Sequence, residues 1–372
     1  MKILIAAGIF IPEIGGPATY IANLSQELVK SGHQVTVVTY SDKDSYETDK
    51  DLPCAVYRIA RKNKLSNYYR YYKKIKEENK NEIFDILYAF DHFSAGIPAS
   101  WLAKKSNKPL IIRVGGDFIW ERYLTRANDP VTLRQFYEKK LHLKEEKFRF
   151  KLIKKVFKQA SKIVFTTKFQ QDIFVPHYQL PADKLTLISN PVNTKIQKAA
   201  RENISKEIIF YGRFINKNNL HNLLTAFEAM QDKSFSLVLI GDGVLKDDII
   251  KRQVARVSVE NKMNREELHQ RLQAAYLTVF PSLTDISPNS LLESLALGVP
   301  FVSTTEIGFD WLKDKVRMFD PNQPEELTKH LDQLAQPENY QAYQQRLTAI
   351  DYSYNYQELA QDTIRVLNET KA

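Results

Sequence analysis

The sequence predicts an α/β protein of two doubly wound parallel-sheet domains. Three observations predict it. Apolar runs of strand length alternate with longer stretches at helical spacing. The alternation comes in two successive series. The turn-forming stretch Asn190-Pro191-Val192-Asn193 separates the series as a hinge would. Parallel strands need long crossovers, and helical crossovers cover both faces of the sheet. The 372 residues suffice for two domains of ordinary size, and the expected division is residues 1–190 and 191–351.

The first series opens with Lys2–Ala7. This run has one basic residue, is short, and leads directly into Pro12 and a glycine pair with no small-residue cleavage site, so it reads as a buried strand rather than a signal peptide. Ala18–Lys30 places Ile21, Leu24 and Leu28 on one helical face and stops at Gly32. Gln34–Thr39, Asp85–Ala89, Leu110–Val114 and Lys162–Thr166 follow as strands. The second series has strands at Glu207–Tyr211, Ser236–Ile240, Tyr276–Phe280 and Phe301–Ser303, with helices at Leu220–Met230 and Asn264–Ala275. The last of these helices opens with Asn264 and Glu267, the spacing of a reciprocal cap.

Apolar residues make up 43% of the chain and charged residues 26%, which allows each half a core and excludes a disordered or fibrous chain. A lone cysteine, Cys54, excludes an intrachain disulfide and a multi-cysteine zinc site and fits a reducing, cytoplasmic compartment. No apolar stretch is long enough to cross a bilayer. The charge is uneven. Residues 1–200 hold 34 basic and 20 acidic residues, a net of +14, whereas residues 201–372 hold 19 and 24, a net of −5. One half is therefore expected to face something anionic: a membrane surface, a nucleic acid or a phosphorylated substrate.

In open parallel sheets, ligands bind beyond the carboxyl ends of the strands, so the residues just after each strand are the candidates. After the first strand, Gly15-Gly16 precede a helix start. Adjacent glycines there admit a phosphate to the backbone, or simply make a tight turn; their spacing fits neither a GxGxxG fingerprint nor a P-loop. After Glu207–Tyr211 come Gly212-Arg213 and Lys217, which form either a diphosphate clamp or a solvated basic loop. Gly241-Asp242-Gly243 ends a strand in a turn. Asp117, after Leu110–Val114, is placed either to face an interdomain cleft or to cap a helix beginning near Ile119. The richest stretch runs from Phe280 to Pro300. Ser287 as N-cap with Pro288 at the first helical position would leave the amides of Asn289, Ser290 and Leu291 to receive an anion. Glu293 sits among Leu291, Leu292 and Leu295, where an unpaired carboxylate is costly, so it needs a partner: a ribose hydroxyl or a backbone group.

Taken together, these residues resemble glycosyltransferase family 4, the retaining, nucleotide-sugar-dependent group 1 enzymes. Their fold, GT-B, has two Rossmann-like domains facing across a cleft. The family's glycine-pair loop is similar to Gly15-Gly16, its Gly-Arg phosphate loop to Gly212-Arg213, and its Gly-Asp-Gly turn to 241–243. Its Glu-x7-Glu motif resembles Asp285-x7-Glu293, followed by Ala-Leu-Gly-Val-Pro at 296–300. The stretch Tyr352-Ser353-Tyr354-Asn355-Tyr356 resembles the family's closing aromatic segment, whose helix, here within 352–372, returns to the first domain. The resemblance implies an acceptor-binding first domain and a donor-binding second domain. Glu293 would bind the ribose, Asp285 would lie near the donor sugar, and Arg213 and Gly16 would hold the diphosphate. Gly15, Gly241, Gly243 and the Ser290 and Leu291 amides would complete the nucleotide site, while Asp117 would sit near the transferred sugar. Asp285, Arg213, Lys217 and Asp117 form the implied catalytic set. The chain departs from the family where Asp285 replaces the first Glu and where Asn218 stands at the loop lysine's usual place, with Lys217 one residue early. It departs again at Gly116, where many members carry a histidine, and after the Asp85 strand, where a histidine often seen in the family is not found and Tyr88 and Phe90 stand in the neighbourhood.

Breaking a sugar–diphosphate bond builds negative charge on the leaving group, which Arg213, Lys217 and the helix start at 287–291 can stabilise. No Asp-x-Asp metal motif is assigned, so no metal and no cofactor beyond the donor nucleotide sugar are expected. Residues 144–158 hold seven basic residues interleaved with Phe148, Leu152, Ile153, Val156 and Phe157, and Tyr68–Lys74 is a second aromatic–basic cluster. Such a helix either lies on an anionic membrane or turns its apolar stripe to the core. The expectation is a peripheral protein on the inner face of the membrane, acting on a lipid-linked or polysaccharide acceptor. A nucleotide-sugar epimerase of similar fold and a catalytically weakened membrane- or partner-binding subunit are the alternatives. Nucleic acid is not an expected partner, since no signature for it is present.

Overall fold

A computed structural model of the chain describes every residue except Ile14, Asn128, 193–200, 202–203 and Ala372, and leaves the side chains of Lys64 and Leu65 undescribed. Asn193 of the expected hinge falls outside the described residues. The chain divides into two compact units. One comprises Met1–Ile119, Lys140–Pro191 and Tyr354–Ala372; the other comprises Trp120–Lys139 and Val192–Ser353.

The first unit holds β1 (Lys2–Ala7), β2 (Gln34–Ser41), β3 (Ala55–Ala60), β4 (Ile86–Ala89), β5 (Leu110–Val114), β6 (Lys162–Phe165) and β7 (Leu185–Leu187). They form one sheet in the order β3-β2-β1-β4-β5-β6-β7, every pair parallel. The order reverses between β1 and β4, the kind of crevice where such sheets take ligands. The helix Gly16–Lys30 buries Tyr20, Ile21, Leu24 and Leu28 and ends before Gly32, whose φ of 82° suits glycine. The helix Tyr356–Lys371 packs on it and buries Leu359, Val366 and Leu367 in the same core. Each such side chain contributes about 1.5–3 kcal/mol when fully buried. Asp85 pins both ends of the chain, accepting the Lys2 amide at 2.8 Å and the Lys371 ammonium at 3.0 Å.

The second unit holds β8 (Glu207–Arg213), β9 (Ser236–Asp242), β10 (Val257–Glu260), β11 (Leu277–Phe280), β12 (Phe301–Thr304) and β13 (Arg317–Phe319), in the order β10-β9-β8-β11-β12-β13, again parallel throughout. The segment 120–139 clusters here rather than with the residues that flank it in sequence. Its Trp120 is fully buried and donates from Nε1 to the Val131 carbonyl at 2.9 Å. The Leu133 amide donates to the Thr284 hydroxyl at 2.9 Å, and the Asn216 side chain donates to the Leu124 carbonyl at 2.6 Å. The expected division at 190 missed this excursion because it is held by partners about a hundred residues or more away.

The nine strands expected from the sequence all form, within two residues of the expected ends. The four it did not anticipate, β3, β7, β10 and β13, are the four sheet edges. Their reason is common: an edge strand is covered less, so its residues need not form an apolar run. β7 and β10 contain no buried residue, while β4, β5 and β11 are buried at every position.

Candidate functional site

The predicted residues divide between the two units. In the second, the parallel β8–β9 ladder pairs Gly212 with Gly241 and Arg213 with Asp242. Gly241 and Gly243 have φ of 152° and 154°. A Cβ on Gly241 would stand 1.9 Å from the Gly212 carbonyl oxygen, and one on Gly243 would stand 2.4 Å from that of Phe214. Glycine is therefore dictated by the backbones' close approach, before any ligand is considered.

The loop after β8 is fastened to the loop after β11. Asn218 donates to the Arg213 carbonyl at 2.6 Å and accepts from the Ser282 hydroxyl at 3.2 Å, and the Leu283 amide donates to the Lys217 carbonyl at 2.9 Å. Asn218, one of the departures from the family pattern, thus acts as a tie between loops. Lys217 is the residue whose ammonium approaches Asp285, at 4.0 Å from Oδ1. Arg213 is exposed and, among the described residues, its side chain makes no hydrogen bond or ion pair.

Asp285 is fixed through its backbone. It forms a parallel bridge with Ile307, donates its amide to the Glu306 carbonyl at 2.9 Å and accepts the Gly308 amide at 3.2 Å. Burial pushes its carboxyl above the usual carboxylate range. The Lys217 ammonium opposes that rise, and the Glu121 carboxylate adds to it.

The helix carrying Glu293 runs Asn289–Ala296, and here the structure corrects the expected start. The N-cap is Pro288, in extended backbone (φ −73°, ψ 102°), which has no side chain able to cap the first turn. Ser287, expected as the cap, has its hydroxyl buried without a hydrogen-bond partner. The proline at the cap position displaces Ser287 one residue too far upstream to reach the first-turn amides. Ser290 accepts the Tyr211 hydroxyl on its carbonyl at 2.6 Å, and Leu291 is fully buried.

Glu293 has protein partners. His269 Nε2 lies 2.7 Å from its Oε1 and Arg265 Nε lies 3.4 Å away. Both belong to the helix Arg265–Ala274, four residues apart and so on one face. That helix starts with the expected reciprocal cap between Asn264 and Glu267. The expected partner was a ribose hydroxyl or a backbone group; the structure supplies an imidazole and a guanidinium. The Glu293 side chain keeps 17% of its surface exposed, so its partners do not seal it from solvent. Burial, aided by the nearby Glu293 carboxylate, pushes the Tyr211 hydroxyl far above the phenol range.

In the first unit, Gly15 precedes the helix Gly16–Lys30 in extended backbone, and a Cβ there would approach Ile9 Cδ1 at 3.3 Å, tight enough that the isoleucine would have to shift slightly. Gly16 is the first helical residue, with Pro17 beside it. Asp117 is fully buried and its Oδ1 accepts the Ile119 amide at 2.9 Å, the capping placement. Two Asp-x-Asp triplets do occur in this unit, at 42–44 and 49–51, contrary to the reading above. Asp42 is paired with Arg61 at 2.7 Å and Asp49 with Arg58 at 2.6 Å. Among the described residues, no group of three or more His, Cys, Asp or Glu side chains is placed to hold a metal ion.

Comparison with known proteins now bears on this geometry. Residues 14–196 match the family model described as Glycosyltransferase Family 4, and residues 205–337 match Glycosyl transferases group 1. The chain belongs to the family 4 glycosyltransferases. This glycosyltransferase is 22% identical over 332 residues to the alpha-monoglucosyldiacylglycerol synthase of Streptococcus pneumoniae, covering 82% of this chain and 71% of that protein. Among solved structures, it is similar to the sucrose-phosphate synthase of Thermosynechococcus elongatus (TM-score 0.76, 15% identity, covering 99% of this chain and 98% of that one). It is also similar to Anabaena HepE in complex with UDP and glucose (TM-score 0.74, 14% identity, covering 99% and 100%). The glycosyltransferase has the GT-B fold.

Four side chains near the predicted ones escaped sequence reasoning: Tyr211, Arg265, His269 and Glu121. His269 four residues after Arg265 on a capped helix was visible, but nothing in the sequence tied that helix to Glu293.

Proposed function

We propose that this glycosyltransferase moves a sugar from a nucleoside-diphosphate sugar to a hydroxyl of a lipid-linked or saccharide acceptor, retaining anomeric configuration and using no metal ion. One observation carries the reading. The loops after β8 and β11 are hydrogen-bonded to each other and bring Lys217 to Asp285, with Arg213 at the root of the first loop and the helix Asn289–Ala296 following the second. Cleavage of the sugar–diphosphate bond leaves negative charge on the outer phosphate. Arg213, Lys217 and the amides of Ser290 and Leu291 would stabilise it. Glu293 would accept the ribose hydroxyls while His269 and Arg265 hold it in place. Asp285 would face the sugar ring. The acceptor proton would pass to an oxygen of the departing phosphate on the same face, so no separate base is required.

The surface of the first unit supports a peripheral membrane role. The helix Lys147–Gln159 turns Phe150, Ile153, Val156 and Phe157 to the core, so its main apolar stripe is structural. Its outer face nevertheless carries Phe148, 71% exposed, among the exposed Lys147, Lys151 and Lys155. The helix Gly96–Ser106 packs against it and exposes Trp101, Lys104 and Lys105. The helix Lys64–Asn81 packs on that in turn and exposes Tyr69, Lys73 and Lys76. Aromatic rings amid lysines on one helical layer suit an anionic lipid surface. The relative from Streptococcus pneumoniae is named for a diacylglycerol glycolipid. Among the described residues, no helix is long and apolar enough to cross a membrane.

The test is transfer from labelled nucleotide sugars with and without a chelator, with the product anomer read by NMR. Retention and chelator resistance are expected; inversion, or donor turnover without an acceptor product, would overturn the reading. For the membrane role, sedimentation with anionic vesicles at low salt, release at high salt, and loss when Lys147, Lys151, Lys155 and Lys158 become Glu are expected. Equal sedimentation with neutral vesicles would contradict it.

A further inference from the structure

The second unit carries a cavity of about 760 Å³ away from the residues assigned above, formed where β13 and the segment before it meet the helices Pro324–Leu334 and Pro337–Thr348. Its lining includes Lys313, Arg317, His330, Tyr343 and Arg346, with Asp314 the one carboxylate among the described lining residues. That volume suits a small molecule rather than a single ion.

The arginines give it a chemical preference. Arg317 is half-buried, yet the partners of its guanidinium are neutral or uncharged acceptors: Gln333 Oε1 at 2.5 Å and His330 Nδ1 at 3.3 Å. His330 can accept at Nδ1 because its Nε2 lies 2.8 Å from the Met318 carbonyl, which fixes the proton on Nε2. The Arg317 Nε is buried with no partner. Arg317 also lies over the Tyr343 ring at 5.6 Å, and its backbone amide donates to the Tyr343 hydroxyl at 3.0 Å. The group is thus held from behind while its charge has no counter-ion. Arg346 makes no hydrogen bond or ion pair among the described residues. Lys313 is already paired with Asp310 at 2.5 Å and contributes less. A half-buried guanidinium normally has a carboxylate beside it, because desolvating the charge is costly. Arg317 without one, and the exposed Arg346 lining the same cavity, leave a fork of donors and an unbalanced positive charge that match a phosphate group.

We infer that this cavity is a second anion site, one that takes a phosphate monoester borne either by a small soluble metabolite or by a lipid headgroup. The inference does not depend on the donor site, since it uses none of the residues placed there.

The experiment is calorimetric titration of the full-length protein with inorganic phosphate and with glycerol 3-phosphate. The wild type is compared with Arg346→Gln, Arg346→Lys and Arg213→Ala, all checked for fold by circular dichroism. At least a tenfold loss of affinity in Arg346→Gln and a smaller loss in Arg346→Lys are expected, while Arg213→Ala, which touches only the donor site, should retain the Arg346-dependent binding. A parallel arm measures sedimentation with vesicles containing phosphatidic acid: a loss in Arg346→Gln assigns the headgroup as the source, and no loss assigns the soluble ester. Absence of phosphate binding in the wild type would overturn the inference. So would binding that Arg213→Ala abolishes and Arg346→Gln leaves unchanged. Because Arg346 is exposed and makes no hydrogen bond or ion pair among the described residues, its replacement is not expected to unfold the chain.

Discussion

Each unit has a glycine-bearing turn after a central strand, and the two turns contain glycine for different reasons. In the second unit, Gly241 and Gly243 hold left-handed backbone against neighbouring main chain, and a methyl group there meets a carbonyl oxygen at 1.9 or 2.4 Å. In the first, Gly15 is extended and a methyl would stand 3.3 Å from Ile9 Cδ1, a tight contact that a small shift of that flexible side chain relieves. Identical residue types therefore carry different information. The Gly-Asp-Gly turn is explained by the fold alone. The fold does not explain why position 15 is glycine, which leaves room for a ligand that must approach the backbone there.

A pair of alanine substitutions separates the two turns most widely. Gly241→Ala should destabilise the protein by on the order of 3–5 kcal/mol, lowering the melting temperature by roughly 10 °C, through strain and disruption of the β8–β9 ladder. Gly15→Ala should change stability by less than about 1 kcal/mol while impairing transfer. Thermal melts that rank the two alike would show that packing does not separate them.

A second contrast lies within the second unit, between the exposed Arg213 and the half-buried Lys217. Arg213→Ala should cost about 10²–10³ in kcat if it stabilises the leaving diphosphate. Lys217→Ala should act through two routes: loss of a cation at the same charge, and loss of the group that opposes the rise of the Asp285 carboxyl. Its signature is a shift of the kcat–pH profile to higher pH, which Arg213→Ala should lack. Identical profiles would remove Lys217 from this role.

Asp285 gives a smaller effect with a definite sign. Burial raises its folded-state value, so the folded protein retains a proton that the unfolded chain has released. The associated stability is fully present below the ordinary carboxylate value and is lost as pH rises through the raised value. Asp285→Asn should therefore be relatively more stable than wild type above that window, while transfer falls. Burial raises Glu306 in the same direction, so some pH dependence will persist in the variant. Melting temperatures across pH check this; a wild-type-to-variant difference that does not change with pH would contradict it.

Much of this was legible in the sequence, and the losses have physical causes. Interior strands such as Leu110–Val114 announce themselves because both faces are covered and every position is apolar. Edge strands such as Val257–Glu260 do not, because half their environment is water. The Asn264–Glu267 cap was readable because both halves lie within one turn. The partnership of Glu293 with His269 was not, since a contact across 24 residues leaves no local signal. Ser287 misled because Ser-Pro reads as a cap followed by a first helical residue, whereas here Pro288 itself takes the extended conformation.

The central claim is that the second unit holds the donor nucleotide through Glu293, with His269 and Arg265 steadying the carboxylate. Calorimetry of nucleoside diphosphates with wild type and Glu293→Gln tests it directly. The variant keeps the shape of the side chain but loses the charge and one acceptor. Affinity should fall by about tenfold or more, with the melting temperature of the free protein nearly unchanged, because the carboxylate is partly exposed. Unchanged affinity in Glu293→Gln would show that the nucleotide is held elsewhere.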